Sequence, residues 1–287
     1  LPAGLTVFER GWLSSNNILI KGKNNSCLID TGYGSHQDQT LQLVQASLQE
    51  KNLDLIVNTH LHSDHCGGNA ILQKRYPQAK TYIPQAYAQA VSTWDENLLS
   101  FASTGQLCYP FRFDEVLTPG QEILLGDWLW QVHAAPGHDP DSVILFEPVS
   151  RCLISADALW QHGFGVVFPE LVNTPAFELV GETIDLIEKL DPRVVIPGHG
   201  TIFTDVTEAI ARARERLKVF QQYPIKHTKH AAKVLLKFKL MELKQISIQD
   251  FMDWAVQTQL IQIIVKQEAD SIATSQIVQG FLAQLAD

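Results

Sequence analysis

The chain has 287 residues, of which 45% are hydrophobic and 18% charged, and this composition excludes an intrinsically disordered chain and a coiled coil. No apolar run reaches the roughly 18 residues that a membrane helix requires. The four cysteines form no CxxC pair, which argues against a disulfide framework and a cysteine zinc site. We therefore predict a globular cytoplasmic protein with no membrane segment. The first residue is Leu, so the sequence is compatible with a leader that preceded it.

The first half of the chain alternates short β-type runs with helical patterns. In chain order these are strands at 17–20 and 27–29, a helix at 35–50 with Ser35 as its N-cap, a strand at 55–57, and a helix from Gly68 to Pro77. Residues 84–119 are irregular and aromatic, and we expect them to form a lid or a small separate core.

The second half begins with strands and ends with helices. The predicted strands are 128–132, 142–146, 151–154 and 193–196, and the predicted helices are 176–190, 206–222, 228–243, 248–257 with Ser247 as its cap, and 271–286. This change of pattern suggests a boundary near Thr204. We therefore predict an α/β catalytic domain at 1–204 and an all-helical extension at 205–287.

Residues with metal-ligating side chains follow several predicted strands. Four of them lie within six positions after the strand at 55–57: His60, His62, Asp64 and His65. His60 and His62 are one residue apart, so on an extended segment both imidazoles point the same way and can share one cation. Three more follow later strands: His138, Asp157 and His199. Because rigid strand ends can hold ligands together, we predict a metal site at one sheet edge.

The order of these residues resembles the metallo-β-lactamase superfamily, and within it the glyoxalase II and lactonase-like branches. The motifs that carry the resemblance are Asp30-Thr31-Gly32, the block from His60 to His65, His138, Asp157 and His199. The resemblance implies an αβ/βα sandwich, in which two mixed sheets lie between helices. The all-helical C-terminal extension would follow this sandwich.

The resemblance also implies a ligand set for two divalent ions. His60, His62 and His138 would bind one ion, and Asp64, His65 and His199 would bind the second. Asp157 would bridge the two ions, Asp64 would also be catalytic, and Asp30 would orient a ligand histidine from behind. Nitrogen and carboxylate ligands without thiolate favour zinc, with iron or manganese as alternatives.

Two ions of this kind can share a hydroxide and polarise the bond under attack. We expect hydrolysis of a small, neutral or weakly charged ester, thioester or lactone, because the carboxylates of Asp139 and Asp141 would disfavour an anionic group. An aspartate at 157 differs from true zinc β-lactamases, so β-lactamase activity is expected only as a minor activity. Three residues after it are candidate substrate contacts, with a packed loop as the alternative: Trp160, His162 and Phe164.

The stretch from Glu208 to Lys244 carries ten lysines and arginines against three glutamates. Solvated faces of amphipathic helices explain this pattern. The alternative is a winged-helix-like arm of a nuclease or phosphodiesterase in the same superfamily, but the rest of the chain is strongly acidic and would repel a phosphate backbone. We therefore expect a small-molecule substrate rather than a nucleic acid, and a homodimer is compatible with the sequence.

Overall fold

The computed structural model describes residues 1–268 and 274–286. The strands are β1 (Leu5–Phe8), β2 (Asn17–Lys21), β3 (Ser26–Ile29), β4 (Leu55–Val57), β5 (Lys80–Pro84), β6 (Glu115–Leu117), β7 (Glu122–Leu125), β8 (Trp128–Ala134), β9 (Val143–Glu147), β10 (Cys152–Ala156) and β11 (Val194–Pro197). The helices are α1 (Gln37–Leu48), α2 (Ser63–Cys66), α3 (Asn69–Arg75), α4 (Ala88–Thr93), α5 (Phe101–Thr104), α6 (Phe168–Leu171), α7 (Phe177–Leu190), α8 (Val206–Gln222), α9 (Pro224–Leu243), α10 (Ile248–Gln257), α11 (Gln259–Glu268) and α12 (Thr274–Ala286).

The strands form two mixed sheets. The first sheet has the order β1-β2-β3-β4-β5-β6, and its strands run parallel from β3 to β6. The second has the order β11-β10-β9-β8-β7, with one parallel pair, β10 and β11. Side chains from both sheets meet in one buried cluster, because alternate residues of a strand point to opposite faces. On β2, for example, Ile18 and Ile20 face the other sheet, whereas Leu19 packs under the helices outside.

Helices cover the outer face of each sheet. Val44 of α1 and Leu72 of α3 pack with the outward residues of the first sheet. Ile184 of α7 and Leu217 of α8 pack with the outward residues of the second, including Leu153. The arrangement is therefore helix, sheet, sheet, helix, and it confirms the predicted αβ/βα sandwich.

The later helices have a hydrophobic core of their own. Leu235 of α9, Phe251 of α10 and Ile264 of α11 are buried together, and Val166 from the loop after β10 and Leu171 of α6 join them. The predicted C-terminal helices are thus confirmed. Because α8 shares the core of the sandwich, the helices with a separate core begin at α9, and the domain boundary near 204 stays a prediction. Between 205 and 268 and between 274 and 286, no strand is present that could form the wing of a winged helix.

Several elements differ from the sequence-based expectations. Ser35 lies inside a 3₁₀ turn, and its side chain does not cap α1, whose N-cap residue is His36. Helix α9 begins earlier than expected, at Pro224. Strands β1, β5, β6 and β7 and helix α11 were not predicted, and residues 271–273 of the last predicted helix lie outside the described residues. The aromatic stretch forms a small separate core around Val91 and Phe101.

Searching the described ranges for a helix that is both long and apolar enough to span a membrane finds none.

Candidate metal centre

The ligand-type residues all lie shortly after the ends of strands. His60 to His65 follow β4 of the first sheet and continue into the short helix α2. His138, Asp157 and His199 follow β8, β10 and β11 of the second sheet. The site therefore lies where the two sheets end side by side, and the sequence-predicted ligands meet there.

Three imidazoles face one point. His60 Nε2 lies 3.1 Å from His62 Nδ1, and His138 Nε2 lies 2.8 Å from the same His62 atom. The three nitrogen atoms are all within 4.8 Å of one another. Backbone and side-chain acceptors hold two of the rings from behind, because His138 Nδ1 lies 2.5 Å from the Val166 carbonyl oxygen and His60 Nδ1 lies 3.2 Å from Thr59 Oγ1. Such contacts fix which ring nitrogen is free to bind a metal.

A second group lies beside the first. His199 Nε2 is 3.1 Å from Asp64 Oδ2, and His65 Nε2 is 3.9 Å from the same oxygen. These three ligand atoms also lie within 4.8 Å of one another. The structure thus brings together the residues of both ligand sets that the family resemblance implied, and their binding of metal ions stays a prediction.

Asp157 lies between the two groups. Its Oδ1 is 3.4 Å from His65 Nε2, and its Oδ2 is 3.4 Å from His138 Nε2. The indole Nε1 of Trp160 donates a hydrogen bond of 3.2 Å to Oδ1. A carboxylate that faces both groups has the position required of a ligand shared by two ions.

The buried His65 ring shows that these residues fit a cation. Its Nδ1 lies 2.7 Å from Asp30 Oδ2, while its Nε2 is buried and has no hydrogen-bond partner. Burial opposes a charge on this ring, yet the carboxylates of Asp157, Asp30 and Asp64 raise the pKa of His65 well above its ordinary value. The surroundings therefore favour a positive charge at Nε2, which a divalent ion can supply in place of a proton.

Four of the other ligand groups are in the form that binds metal, whereas the carboxylates of Asp157 and Asp64 outweigh burial and raise the pKa of His199. Burial lowers the pKa of His62 and of His138 to about 4, and it holds the pKa of His60 well below its ordinary value, so these imidazoles are neutral near pH 7. Burial alone would raise the pKa of Asp157, but His65 and His199 hold it well below its ordinary value. Neutral imidazoles and an ionised carboxylate are the protonation states of metal ligands.

Asp30 supports the centre from the end of β3. Its Oδ1 accepts from the Thr59 backbone N–H at 2.9 Å, and its Oδ2 accepts from Thr59 Oγ1 at 2.8 Å as well as facing His65. The residue has a φ of 53°, in the left-handed region that Asp adopts more readily than most residues. Asp30 therefore holds both the His65 ring and the backbone that leads into the ligand loop, and its role behind a metal ligand stays a prediction.

A second buried carboxylate lies behind His62. Asp139 Oδ2 is 3.5 Å from His62 Nε2, and its other oxygen accepts a hydrogen bond from the Tyr87 hydroxyl. The Asp141 backbone N–H also donates to this oxygen, at 2.9 Å. Asp139 thus faces the ring of His62, on the side away from the other two imidazoles.

The centre opens into a cavity of about 520 Å³. His62, Asp64, His138, Asp157 and His199 form one part of its wall. Apolar side chains form much of the rest: Trp12, Val166, Phe168, Val234, Leu235 and Phe238. Helices α8 and α9 therefore cover the metal centre.

The candidate substrate contacts have different positions. Trp160 and His162 line the cavity. Phe164 is 1% exposed and packs in the core under the second sheet, where the Arg216 guanidinium lies 5.6 Å from the centre of its ring. The role of these residues in substrate binding stays a prediction, and the position of Phe164 is that of the packed-loop alternative.

Sequence reasoning did not identify the residues that other elements contribute to the cavity wall, among them Trp12, Thr104, Arg216, His230 and Phe238. They come from the N-terminal segment, from α5 and from the C-terminal helices. An amphipathic helix shows which face is apolar, but its sequence does not show which other element that face meets. The sequence around these residues therefore gives no signal of a site.

Comparison with known proteins agrees with this architecture. Residues 10–199 match the family described as the metallo-beta-lactamase superfamily. An acyl-coenzyme A thioesterase of Homo sapiens is 29% identical over 226 residues, which are 69% of this chain and 78% of that protein. A type A flavoprotein of Rhodobacter capsulatus is 25% identical over 204 residues, which are 65% of this chain but only 44% of that protein.

A solved structure shares the fold over nearly the whole chain. It is a metallo-beta-lactamase family protein of Thermus thermophilus, with a TM-score of 0.62 and 18% identity, and the match covers 95% of this chain and 96% of that one. The matched family covers more than half of the chain and includes every residue of the two ligand groups. The chain therefore belongs to the metallo-β-lactamase superfamily.

Proposed function

We propose that the protein is a hydrolase that uses two divalent metal ions, preferably zinc, on a small ester, thioester or lactone with an apolar acyl group. The observation that carries this proposal is the convergence of two ligand groups on a cavity with a largely apolar wall. Apolar cavities with a few convergent polar groups are typical of small-molecule sites.

In this proposal the ligand residues form two groups, one for each metal ion, according to which ligand atoms lie close together. His60, His62 and His138 hold one ion, Asp64, His65 and His199 hold the other, and Asp157 contacts both. When bound, the ions would make water nucleophilic near neutral pH and polarise the carbonyl group under attack. The protein then needs no serine or cysteine nucleophile.

Side chains around the metal centre would orient the attacking water, the shared carboxylate and the acyl group. Asp64 lines the cavity and is held at 3.1 Å by His199 Nε2, so its carboxylate can accept a hydrogen bond from the attacking water. Trp160 donates a hydrogen bond to Asp157 and holds its carboxylate between the two groups of ligands. Phe168 and Phe238 would enclose the acyl group and exclude water from it.

The relatives support a hydrolase and favour the thioester among the three substrate classes. The human relative is a thioesterase that acts on acyl-coenzyme A.

The basic stretch of α8 and α9 gives less support to a nuclease, because Arg212 pairs with Asp205 at 2.7 Å and Arg214 pairs with Asp185 and Glu188.

The test is metal content together with turnover. The metal-replete protein is assayed on acyl thioesters, esters, lactones, a phosphodiester and a cephalosporin. H62A and D157A should each lose at least one metal ion by elemental analysis, and hydrolysis should fall at least about 100-fold, as expected when a catalytic metal or its ligand is removed.

A matched control is H133A, because His133 lies on β8 outside both ligand groups. This variant should retain its metal and its turnover. Full metal content and full turnover in H62A and D157A would overturn the proposal, as would the absence of hydrolysis of every substrate by the metal-replete protein.

A further inference from the structure

Helix α8 carries three arginines with different surroundings. The guanidinium of Arg212 pairs with Asp205, and that of Arg214 pairs with Asp185 and Glu188. Arg216 has no carboxylate within 4.0 Å among the residues that the structure describes, and it faces the cavity. An unpaired cation on a cavity wall is unusual, because burying a charge is costly unless a counter-charge accompanies it.

The surroundings of Arg216 hold its guanidinium but leave its charge unneutralised. Its Nη2 donates to His230 Nε2 at 2.7 Å, and its planar group lies over the rings of Phe164 and Phe220, at 5.6 and 5.3 Å from their centres. Burial, followed by the effect of Arg216, lowers the pKa of His230 to about 4, so this ring is neutral. These neighbours orient the guanidinium of Arg216 and add no negative charge.

The loop after β10 leaves room for this guanidinium. Gly163 has a φ of +128°, and a Cβ atom built at this position would lie 2.7 Å from Arg216 Nη1. The glycine therefore allows Arg216 to approach the loop that also carries Trp160 and Gly165. Gly165 in turn lies against the His138 ring, so the same short loop separates Arg216 from the ligand cluster.

The acidic side chains near the cavity do not neutralise Arg216 either. The carboxylates that line the cavity are Asp64 and Asp157, and both belong to the ligand groups. Asp139 is directed toward Tyr87 and His62, and neither Asp139 nor Asp141 lines the cavity. The sequence-based reason to expect only neutral substrates therefore does not apply to the wall formed by α8 and α9.

We propose that Arg216, supported by His230, binds an anionic group of the substrate, a carboxylate or a phosphate, away from the bond that is hydrolysed. The inference rests on the proposed function and narrows its substrate class to amphipathic molecules with an apolar acyl part and one anionic end. A guanidinium with a fixed orientation can bind either anion through two parallel hydrogen bonds.

The test uses matched substrates that differ only in charge. In one pair a terminal carboxamide is replaced by a carboxylate, and in the other a terminal hydroxyl is replaced by a phosphate; each is made on the acyl chain and on the thiol arm of a thioester. We expect the metal-replete protein to prefer a charged member. R216Q should lower the charged-to-neutral ratio of kcat/KM by about 10- to 100-fold, the range for a lost hydrogen bond to a charged group.

Two further variants separate binding from packing. R216K keeps the positive charge but loses the parallel N–H donors of the guanidinium. It should therefore lower the charged-to-neutral ratio of kcat/KM less than R216Q does. R214Q removes an arginine of the same helix that pairs with carboxylates outside the cavity, so the ratio should not change. If R216Q has the same charged-to-neutral ratio of kcat/KM as the unaltered protein, both members of every pair lose equally and the proposal is overturned.

A binding measurement keeps this test independent of turnover. Thioether analogues of the same pairs cannot be hydrolysed, and calorimetry on the metal-replete protein gives their Kd values. R216Q should weaken binding of the charged analogue about 10- to 100-fold relative to the neutral one. If no ester, thioester or lactone is hydrolysed but this preference is present, the proposed function fails and the anion site stands; equal charged-to-neutral Kd ratios in R216Q and the unaltered protein would overturn the anion site.

Discussion

Tyr87 is a residue whose importance is visible only in the fold. It is fully enclosed in the core formed by the aromatic stretch, and its hydroxyl donates to the buried carboxylate of Asp139, which faces His62. Partners behind a metal ligand fix the orientation of its ring and raise its affinity for metal. Tyr87 should therefore influence a metal centre that it does not touch.

We predict that Y87F binds metal about 10-fold more weakly, because Asp139 loses a hydrogen-bond donor and holds His62 less firmly. Competition with a chromophoric chelator measures this change directly. Y109F is a matched control, since Tyr109 is exposed at the surface. Equal metal affinities of Y87F and the unaltered protein would contradict the positioning role of Tyr87.

The clustering of the candidate ligands at one end of the sheets could be predicted from the sequence, because four of these residues lie within six positions. His60, His62, Asp64 and His65 are close in sequence, and the extended backbone at His62 leads directly into α2. Arg216 and Tyr87 could not be predicted in this way. Tyr87 contacts Asp139 and Arg216 contacts Phe164, and in each pair the two residues are 52 positions apart in the sequence.

At the scale of elements, His227 joins the beginning of α9 to the loop over the cavity. Its Nε2 accepts a hydrogen bond of 3.0 Å from the Val167 backbone N–H, and its ring packs against Phe177 and Phe220. Burial lowers the pKa of His227 to about 3 from an ordinary value of 6.5. The ring must therefore stay neutral to accept this bond, and protonation would break it.

This gives a prediction for stability against pH. The unfolded chain binds a proton at His227 below about pH 6.5, whereas the folded chain does not until about pH 3, so the free energy of unfolding falls as the pH is lowered through this window. Between about pH 7 and 5 the loss from His227 should be about 2 kcal/mol. Urea unfolding at both pH values measures it.

The comparison protein is H227Q, whose side chain can still accept from Val167 but cannot titrate. Its stability should decrease less between about pH 7 and 5 than that of the unaltered protein, by about 2 kcal/mol. The metal ligands are the same in both proteins, so acid release of metal cancels in the difference. Equal pH dependences in the two proteins would refute this account of His227.

The elements that flank the ligands were predicted more accurately than those at the sheet edges. Strands β3, β4, β9 and β10 are almost fully buried runs of apolar residues, which give a clear sequence signal. Strands β1 and β7 are edge strands with partly exposed side chains, and they gave none. Helix α11 was not predicted because a single residue, Thr258, separates it from α10. The sequence therefore gives no clear signal that a second helix begins there.

At the scale of the whole molecule, the ligand cluster joins the two sheets. His60, His62, Asp64 and His65 follow β4 of the first sheet, and the other three ligands follow strands of the second. Other contacts across this end are polar, such as the hydrogen bonds from Asn16 Nδ2 to the carbonyl oxygens of Pro197 and Gly200, at 2.9 and 2.8 Å. Metal bound here would therefore stabilise the packing of both halves of the sandwich.

We accordingly predict that removing metal destabilises the whole sandwich. A ligand that binds only the folded state at about 100 times its Kd adds about 2.7 kcal/mol of stability, which for a domain of this size corresponds to a Tm higher by roughly 5 °C or more. Calorimetry of chelator-treated protein, before and after zinc is restored, measures this shift. D157A removes the carboxylate that faces both ligand groups, so zinc should raise its Tm by less. If zinc raises the Tm of D157A as much as that of the unaltered protein, Asp157 does not contribute to this coupling of the sheets.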